Sequence, residues 1–330
     1  MEPSTAIKIF VYVLFIVDSS QFVFISFYNL IIKQNMVTCL PETLQNFENS
    51  VPILFSCNCR ENLLHMKYSN LKGGMFVRHA LITAGTKGLG KQVTENLLAK
   101  GYSVTVTYHS DMSAVETMKE KYKNIEERLQ FVQADVTKKE DLHKIVEEAI
   151  SRFGKIDFLI NNAGPYVFER KKLIDYEEDE WNEMIQGNLT AVFRLLKLVV
   201  PIMRKQHFGR IINYGFQGAD SAPGWMYRSA FAAAKVGLVS LTKTIAYEEA
   251  EYGITANMVC PGDIIGEMKE ATIQQARTMK DIRTPIGRSG TGEDIARTIS
   301  FLCEEDSDMI TGTIIEVTGA VDVIHRYRQK

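Results

Sequence analysis

From His79 onward, short runs rich in β-branched and aromatic residues alternate with stretches whose apolar residues recur at helical spacing. No other feature restricts the fold as tightly. Strands separated by helices run parallel, and the crossover helices must cover both faces of the sheet. The strand runs are HALIT (79–83), SVTVTY (103–108), LQFVQAD (129–135), DFLINNA (157–163), GRIINYG (209–215), ITANMVC (254–260) and GTIIEVT (312–318). KQVTENLLAK follows the first, and in EDLHKIVEEAISRFG the residues Leu142, Ile145, Val146, Ala149 and Ile150 make one helical stripe. This order predicts an α/β fold, a three-layer doubly wound parallel sheet of Rossmann type, in a single domain over 76–330.

A domain of that size has enough apolar residues for a core, since 45% of the 330 residues are hydrophobic and 24% charged. The formal net charge of −2 gives no electrostatic case for nucleic acid, which calls for a concentrated basic patch. Small-molecule chemistry is the expectation. The five cysteines, at 39, 57, 59, 260 and 303, form no disulfide framework, and Cys57-x-Cys59 is too short for a zinc site. They read as free thiols in a reducing compartment, which points to the cytoplasm.

Residues 1–75 have a different character and form an N-terminal extension, hydrophobic and then irregular. Residues 6–17 and 22–32 are apolar runs, each shorter than the ~20 residues a membrane span needs. Joined into one span, they would bury Asp18, Ser19, Ser20 and Gln21 at mid-membrane. No small-x-small cleavage site follows the first run. Two readings stay open. One is a membrane-associated tail through 6–32; the other is upstream leader that the cell never makes. Lys72-Gly73-Gly74 must be encoded by a purine-rich tract resembling a bacterial ribosome-binding site, just ahead of Met75 and Val77.

The first strand runs directly into TAGTKGLG, Thr83 to Gly90, and a helix opens there. Glycines at 85, 88 and 90 permit a tight turn and close backbone approach, so that a pyrophosphate can rest on free N–H groups at the helix's positive end.

From about Arg78 to His325 the chain resembles the short-chain dehydrogenases/reductases, particularly the bacterial 3-oxoacyl-(acyl-carrier-protein) reductase type. TAGTKGLG is similar to that family's T-G-x-x-x-G-x-G turn, with Ala84 in place of the first glycine. Ala134-Asp135-Val136 resembles the adenine-contacting segment and Asn161-Asn162-Ala163-Gly164 the signature that ends the fourth strand. Asn188 matches the asparagine that holds a proton-relay water, and Pro261-Gly262 the turn beside the nicotinamide. Each has a plainer reading as a strand end, a turn or a helix cap. Their shared order is what argues for a site. The resemblance implies that Thr83, Gly85, Lys87, Gly88, Leu89, Gly90, His109, Asp135, Val136, Asn162, Ala163, Gly164, Lys235, Pro261 and Gly262 bind the cofactor. It also implies a small-molecule or acyl-thioester substrate and a homo-oligomer, dimer or tetramer.

Charge argues for NADP(H). A carboxylate ending the second strand would bind the ribose hydroxyls of NAD and repel the extra phosphate of NADP. That strand ends Thr107-Tyr108-His109-Ser110, with no acid before Asp111, and Lys87 adds a cation in the glycine turn.

In the family a Ser holds the carbonyl oxygen and a Tyr donates the proton. A Lys one helical turn on tunes the Tyr and binds the nicotinamide ribose. Here Lys235 stands at the lysine position, but alignment puts Phe231 at the tyrosine and Phe216 at the serine. Phenylalanine neither donates nor accepts a proton. Tyr227 is the expected substitute, beside Lys235 and Asn188 in the catalytic set. In a continuous helix it would lie about 12 Å from Lys235, so it serves only if the chain folds back before the helix begins. Tyr214, Ser221 and Ser229 are further hydroxyls nearby, expected to be structural.

Overall fold

Every β-rich run forms a strand, and most end a residue or two early, where the chain leaves the ladder to build the turns that make the site. The computed structural model describes residues 77–166, 168–281 and 284–324, with four short strands between 7 and 32. The strands of the main domain are β1 His79–Ile82, β2 Ser103–Tyr108, β3 Leu129–Gln133, β4 Phe158–Asn161, β5 Gly209–Tyr214, β6 Ile254–Pro261 and β7 Ile314–Val317. Its helices are α1 Gly88–Ala99, α2 Met112–Lys121, α3 Lys139–Phe153, α4 Glu178–Ile185, α5 Ala191–Gln206, α6 Ser229–Glu248, α7 Ile273–Arg277 and α8 Gly292–Leu302. The first helix starts inside the glycine turn, three residues ahead of the KQVTENLLAK stretch. The expected doubly wound parallel sheet is present.

All seven strands pair in parallel, in the order β3-β2-β1-β4-β5-β6-β7. The direction of winding reverses between β1 and β4, and in an open α/β sheet a ligand crevice lies beyond the strand ends at that reversal. Side chains alternate across the sheet. Ala80 and Ile82 join Phe158 and Ile160 against Val93 and Leu97 of α1 and Ile295 and Ile299 of α8. Leu81, Leu159 and Ile211 face the other way, against Leu142 and Ile145 of α3, Leu195 and Val199 of α5 and Leu238 of α6. In the predicted stripe on α3, Leu142, Ile145, Val146 and Ala149 are buried. The continuous helical stretch Glu178–Gln206 is long and apolar enough to cross a membrane, yet Leu195, Val199 and Met203 within it belong to the domain's own core.

The chain divides between Lys72 and Gly73. In the first unit, Ile7–Val11 pairs antiparallel with Tyr28–Ile32, and Leu14–Asp18 with Gln21–Phe24. The two apolar runs thus form strand pairs. The segment 33–74, expected to be irregular, lies outside the described residues, as do Cys39, Cys57 and Cys59. Cys260 and Cys303 are free and buried.

Candidate active site

The glycine turn is stitched to the end of β4. Thr83 Oγ1 accepts from the amides of Asn162 at 3.0 Å and Ala163 at 2.9 Å. Asn162 Nδ2 donates back to the carbonyls of Thr83 and Ala84, both at 3.0 Å. This packing explains the glycines. A Cβ on Gly90 would stand 2.3 Å from the Ala84 carbonyl oxygen, and one on Gly85 2.6 Å from Val106 Cγ1. Ala84 itself holds φ +52°, a left-handed backbone that an alanine adopts at some cost. The turn faces the segment 266–279 across a cleft of about 940 Å³, lined by Ala84, Lys87, Gly88, Leu89 and Asn162 on the turn's side.

At the other end of the turn, Lys87 Nζ lies 3.3 Å from Asp111 Oδ2, both groups exposed. Asp111 also caps α2, accepting from Ala114 N at 3.1 Å. That amide bond, helped by Lys87, holds its carboxyl below the ordinary range. His109 Nε2 is 3.9 Å from Asp135 Oδ2. Asp135 does not cap α3; its Oδ1 accepts from the Thr137 amide at 2.9 Å and hydroxyl at 2.7 Å, a local turn that presents Val136 to the core. The Gly262 amide bonds the Val317 carbonyl at 3.0 Å, tying the Pro261-Gly262 turn to β7.

Lys235 is 4% exposed on α6. Burial pulls its ammonium down to about 8, partly opposed by Cys260. Its Nζ sits 5.7 Å from the centre of the Phe231 ring, one helical turn earlier. Phe231 meets Tyr166 edge-on at 5.0 Å and Trp225 at 6.1 Å, while Phe216 lies 4.9 Å from Trp225 and 6.2 Å from Phe231. Phe231 thus belongs to a cluster of four aromatic rings with Tyr166, Trp225 and Phe216. Asn188 is buried in a single π turn, Gln186–Thr190, between α4 and α5, and its Nδ2 donates to Pro165 O at 2.9 Å and Met184 O at 3.1 Å.

Tyr227 lies outside α6, which begins at Ser229 behind the N-cap residue Arg228. Its backbone is left-handed, with φ +66°, in the turn that leads into the helix. Tyr227 lines a pocket of about 270 Å³ with Tyr166, Arg170, Trp225, Arg228 and Asp263. Arg228 fixes this corner: Nε donates to Tyr166 Oη at 2.7 Å, and Nη1 to Glu169 O at 2.9 Å and Tyr227 O at 2.7 Å. The other hydroxyls expected to be structural differ in their bonding. Ser221 Oγ donates to Gly218 O at 2.9 Å, and Tyr214 Oη and Ser229 Oγ are buried without a hydrogen-bond partner. Burial pushes the Tyr214 phenol far up, away from acid catalysis.

Thus the glycine turn and the β4 signature come together in one cleft, and Tyr227 joins a pocket beside the Pro261-Gly262 turn through Asp263. Sequence reasoning missed Tyr166, Arg228 and Glu270. Tyr166, two residues past the Asn161–Gly164 signature, was the one within reach of a local signal.

A family profile described as Enoyl-(Acyl carrier protein) reductase matches residues 83–321. "Putative oxidoreductase YtkK" of Bacillus subtilis (strain 168) is 70% identical over 251 residues, covering 76% of this chain and 98% of that protein. The 3-oxoacyl-(acyl-carrier-protein) reductase FabG of Staphylococcus epidermidis (strain ATCC 12228 / FDA PCI 1200) is 34% identical over 245 residues, covering 74% of this chain and 98% of FabG. A solved structure described as "Structure of putative 3-oxoacyl-reductase from bacillus thuringiensis" is 88% identical, with a TM-score of 0.72 over 76% of this chain and 100% of that one.

Proposed function

The chain belongs to the short-chain dehydrogenase/reductase family, and on that premise we propose that it is an NADP(H)-dependent reductase of a carbonyl such as a 3-oxoacyl thioester. It is an oxidoreductase similar to the 3-oxoacyl-(acyl-carrier-protein) reductases; the cofactor, the substrate and the proton donor are our reading. Lys235 carries it. The residue is 4% exposed and burial pulls its ammonium down to about 8, a desolvation cost that a ligand's acceptor groups would offset. The ribose hydroxyls of a nicotinamide cofactor are such acceptors.

The residues fit the group. The glycine turn offers a backbone cradle that a Cβ at Gly85 or Gly90 would fill, and the first amide of α1 bonds a carboxylate oxygen where a phosphate oxygen would serve equally. Thr83, Gly85, Gly88, Leu89 and Gly90 would hold the pyrophosphate, with Asn162, Ala163 and Gly164 beside them. Lys87 and His109 would face the 2′-phosphate, Asp135 and Val136 the adenine, and Pro261 and Gly262 the nicotinamide. The bound cofactor supplies a hydride to the carbonyl carbon. The chain must then deliver a proton to the oxygen. With Phe at 216 and 231, we assign that proton to Tyr227, with Lys235 placing the ribose and Asn188 holding the relay. Exposed Phe193, Tyr247 and Phe301, on α5, α6 and α8, support assembly as a homodimer or tetramer, and the reading places the enzyme in the cytoplasm.

Two rivals have their own support. The description of the matching profile favours reduction of an enoyl double bond, and the hydroxyl-free Phe231 ring beside Lys235 favours a nucleotide-binding protein without reductase activity. The test is NADPH and NADH consumption with 3-oxoacyl thioesters, ketones and enoyl thioesters. NADPH-dependent loss of a 3-oxoacyl thioester is expected, with Lys87→Glu reversing the cofactor preference. Turnover of enoyl thioesters alone, or binding without turnover, would select a rival.

A further inference from the structure

The segment between β6 and α8 returns across the mouth of the glycine turn. Among the described residues its hydrogen bonds there are all made by one residue. Glu270 Oε1 accepts from the Gly88 amide at 2.7 Å and Oε2 from Lys91 Nζ at 2.5 Å, while the Glu270 carbonyl accepts from Gln92 Nε2 at 3.0 Å. The segment is also held from behind. A Cβ on Gly292, the first residue of α8, would stand 2.0 Å from the Lys269 carbonyl oxygen, and the Ile273 amide donates to Glu293 Oε2 at 2.7 Å.

Helix α1 explains why a carboxylate settles there. Its N-cap, Lys87, makes no side-chain cap bond, and no acidic residue stands in its first turn. Its leading N–H groups and positive dipole end are therefore left for an anion from elsewhere. Glu270 meets that need from 182 positions along the chain. Burial pushes its carboxyl up, but the Lys91 bond and the Gly88 amide outweigh this and hold it below the ordinary range, so it is anionic at neutral pH.

We propose that Glu270 is an internal occupant of the pyrophosphate seat, so that the dinucleotide binds by displacing this side chain and, with it, the segment 266–277. Cofactor affinity is then set by a competition between two anions for one helix end. A ligand that must displace a state the protein already favours binds more weakly by that preference. The displaced segment is one wall of the cleft, so cofactor loading reshapes the side on which a substrate would enter. The inference rests on the nucleotide-site reading above.

The experiment is a calorimetric titration of the full chain and of Glu270→Gln, which keeps the shape and removes the charge, with NADPH and separately with inorganic pyrophosphate. Glu270→Gln is expected to bind NADPH about tenfold more tightly, the scale of one charge-assisted hydrogen bond. Amide exchange over 266–277 is expected to speed up when NADPH binds the natural chain, and to be fast in Glu270→Gln before any ligand is added. Equal or weaker binding by Glu270→Gln, with both probes, overturns the inference. If neither protein binds NADPH or NADH but Glu270→Gln gains pyrophosphate affinity, the seat assignment stands and the dinucleotide reading falls.

Discussion

At the residue scale, Lys235 has the most at stake. Its ammonium is buried beside a hydrocarbon ring, and its pKa falls from 10.5 to about 8. Between those values the unfolded chain binds a proton that the folded chain releases, so stability rises with pH across that window. Without cofactor, Lys235→Met is expected to be more stable than the natural chain at pH 7, by up to about 3 kcal/mol. The gap should close as pH climbs from about 8 to 10.5, in thermal or urea unfolding. A gap independent of pH would mean that the ammonium is not desolvated. The lysine, its helix position and the phenylalanine one turn before it were all legible from spacing along α6. What spacing could not supply was the environment. Trp225 and Tyr166 reach Phe231 from loops that follow different strands, and only the assembled sheet brings them together.

At the scale of elements, strand limits were readable because β-branched runs and turn residues mark them directly. The exceptions are instructive. Asp135, Asn162 and Ala163 read as strand continuations but lie past the ladder, since their amides bond side chains instead, whereas the Ala134 amide still reaches the Tyr108 carbonyl of β2. The turn before α6 was legible only as a condition, that the chain must reverse for Tyr227 to act; its left-handed backbone at Tyr227 carried no local signal. Arg228 holds that turn against the loop after β4 through Tyr166, Phe168 and Glu169. Arg228→Ala is expected to accelerate amide exchange across 166–170 at least ~10-fold, because several bonds worth about 1 kcal/mol each are lost together. Exchange in the glycine turn should not change, and an unaltered 166–170 would show that the loop is held by other contacts.

At the scale of the whole molecule, the parallel sheet and its switch point gather groups that lie 79 and 182 positions apart. Thr83 and Asn162 became neighbours as the motif order implied, whereas Gly88 and Glu270 became neighbours with no signal in either local stretch. On these neighbours rests the proposed division of labour, a nucleotide cradle joined to a proton-donor side served by Tyr227. The most direct measurement is the rate of NADPH consumption with a 3-oxoacyl thioester by the natural chain and by Tyr227→Phe, with NADPH affinity determined on the same samples. A loss of about 10²–10⁴-fold in rate is expected, the usual cost of removing a positioned general acid, at unchanged affinity. A Tyr227→Phe variant that turns over as fast as the natural chain would contradict it.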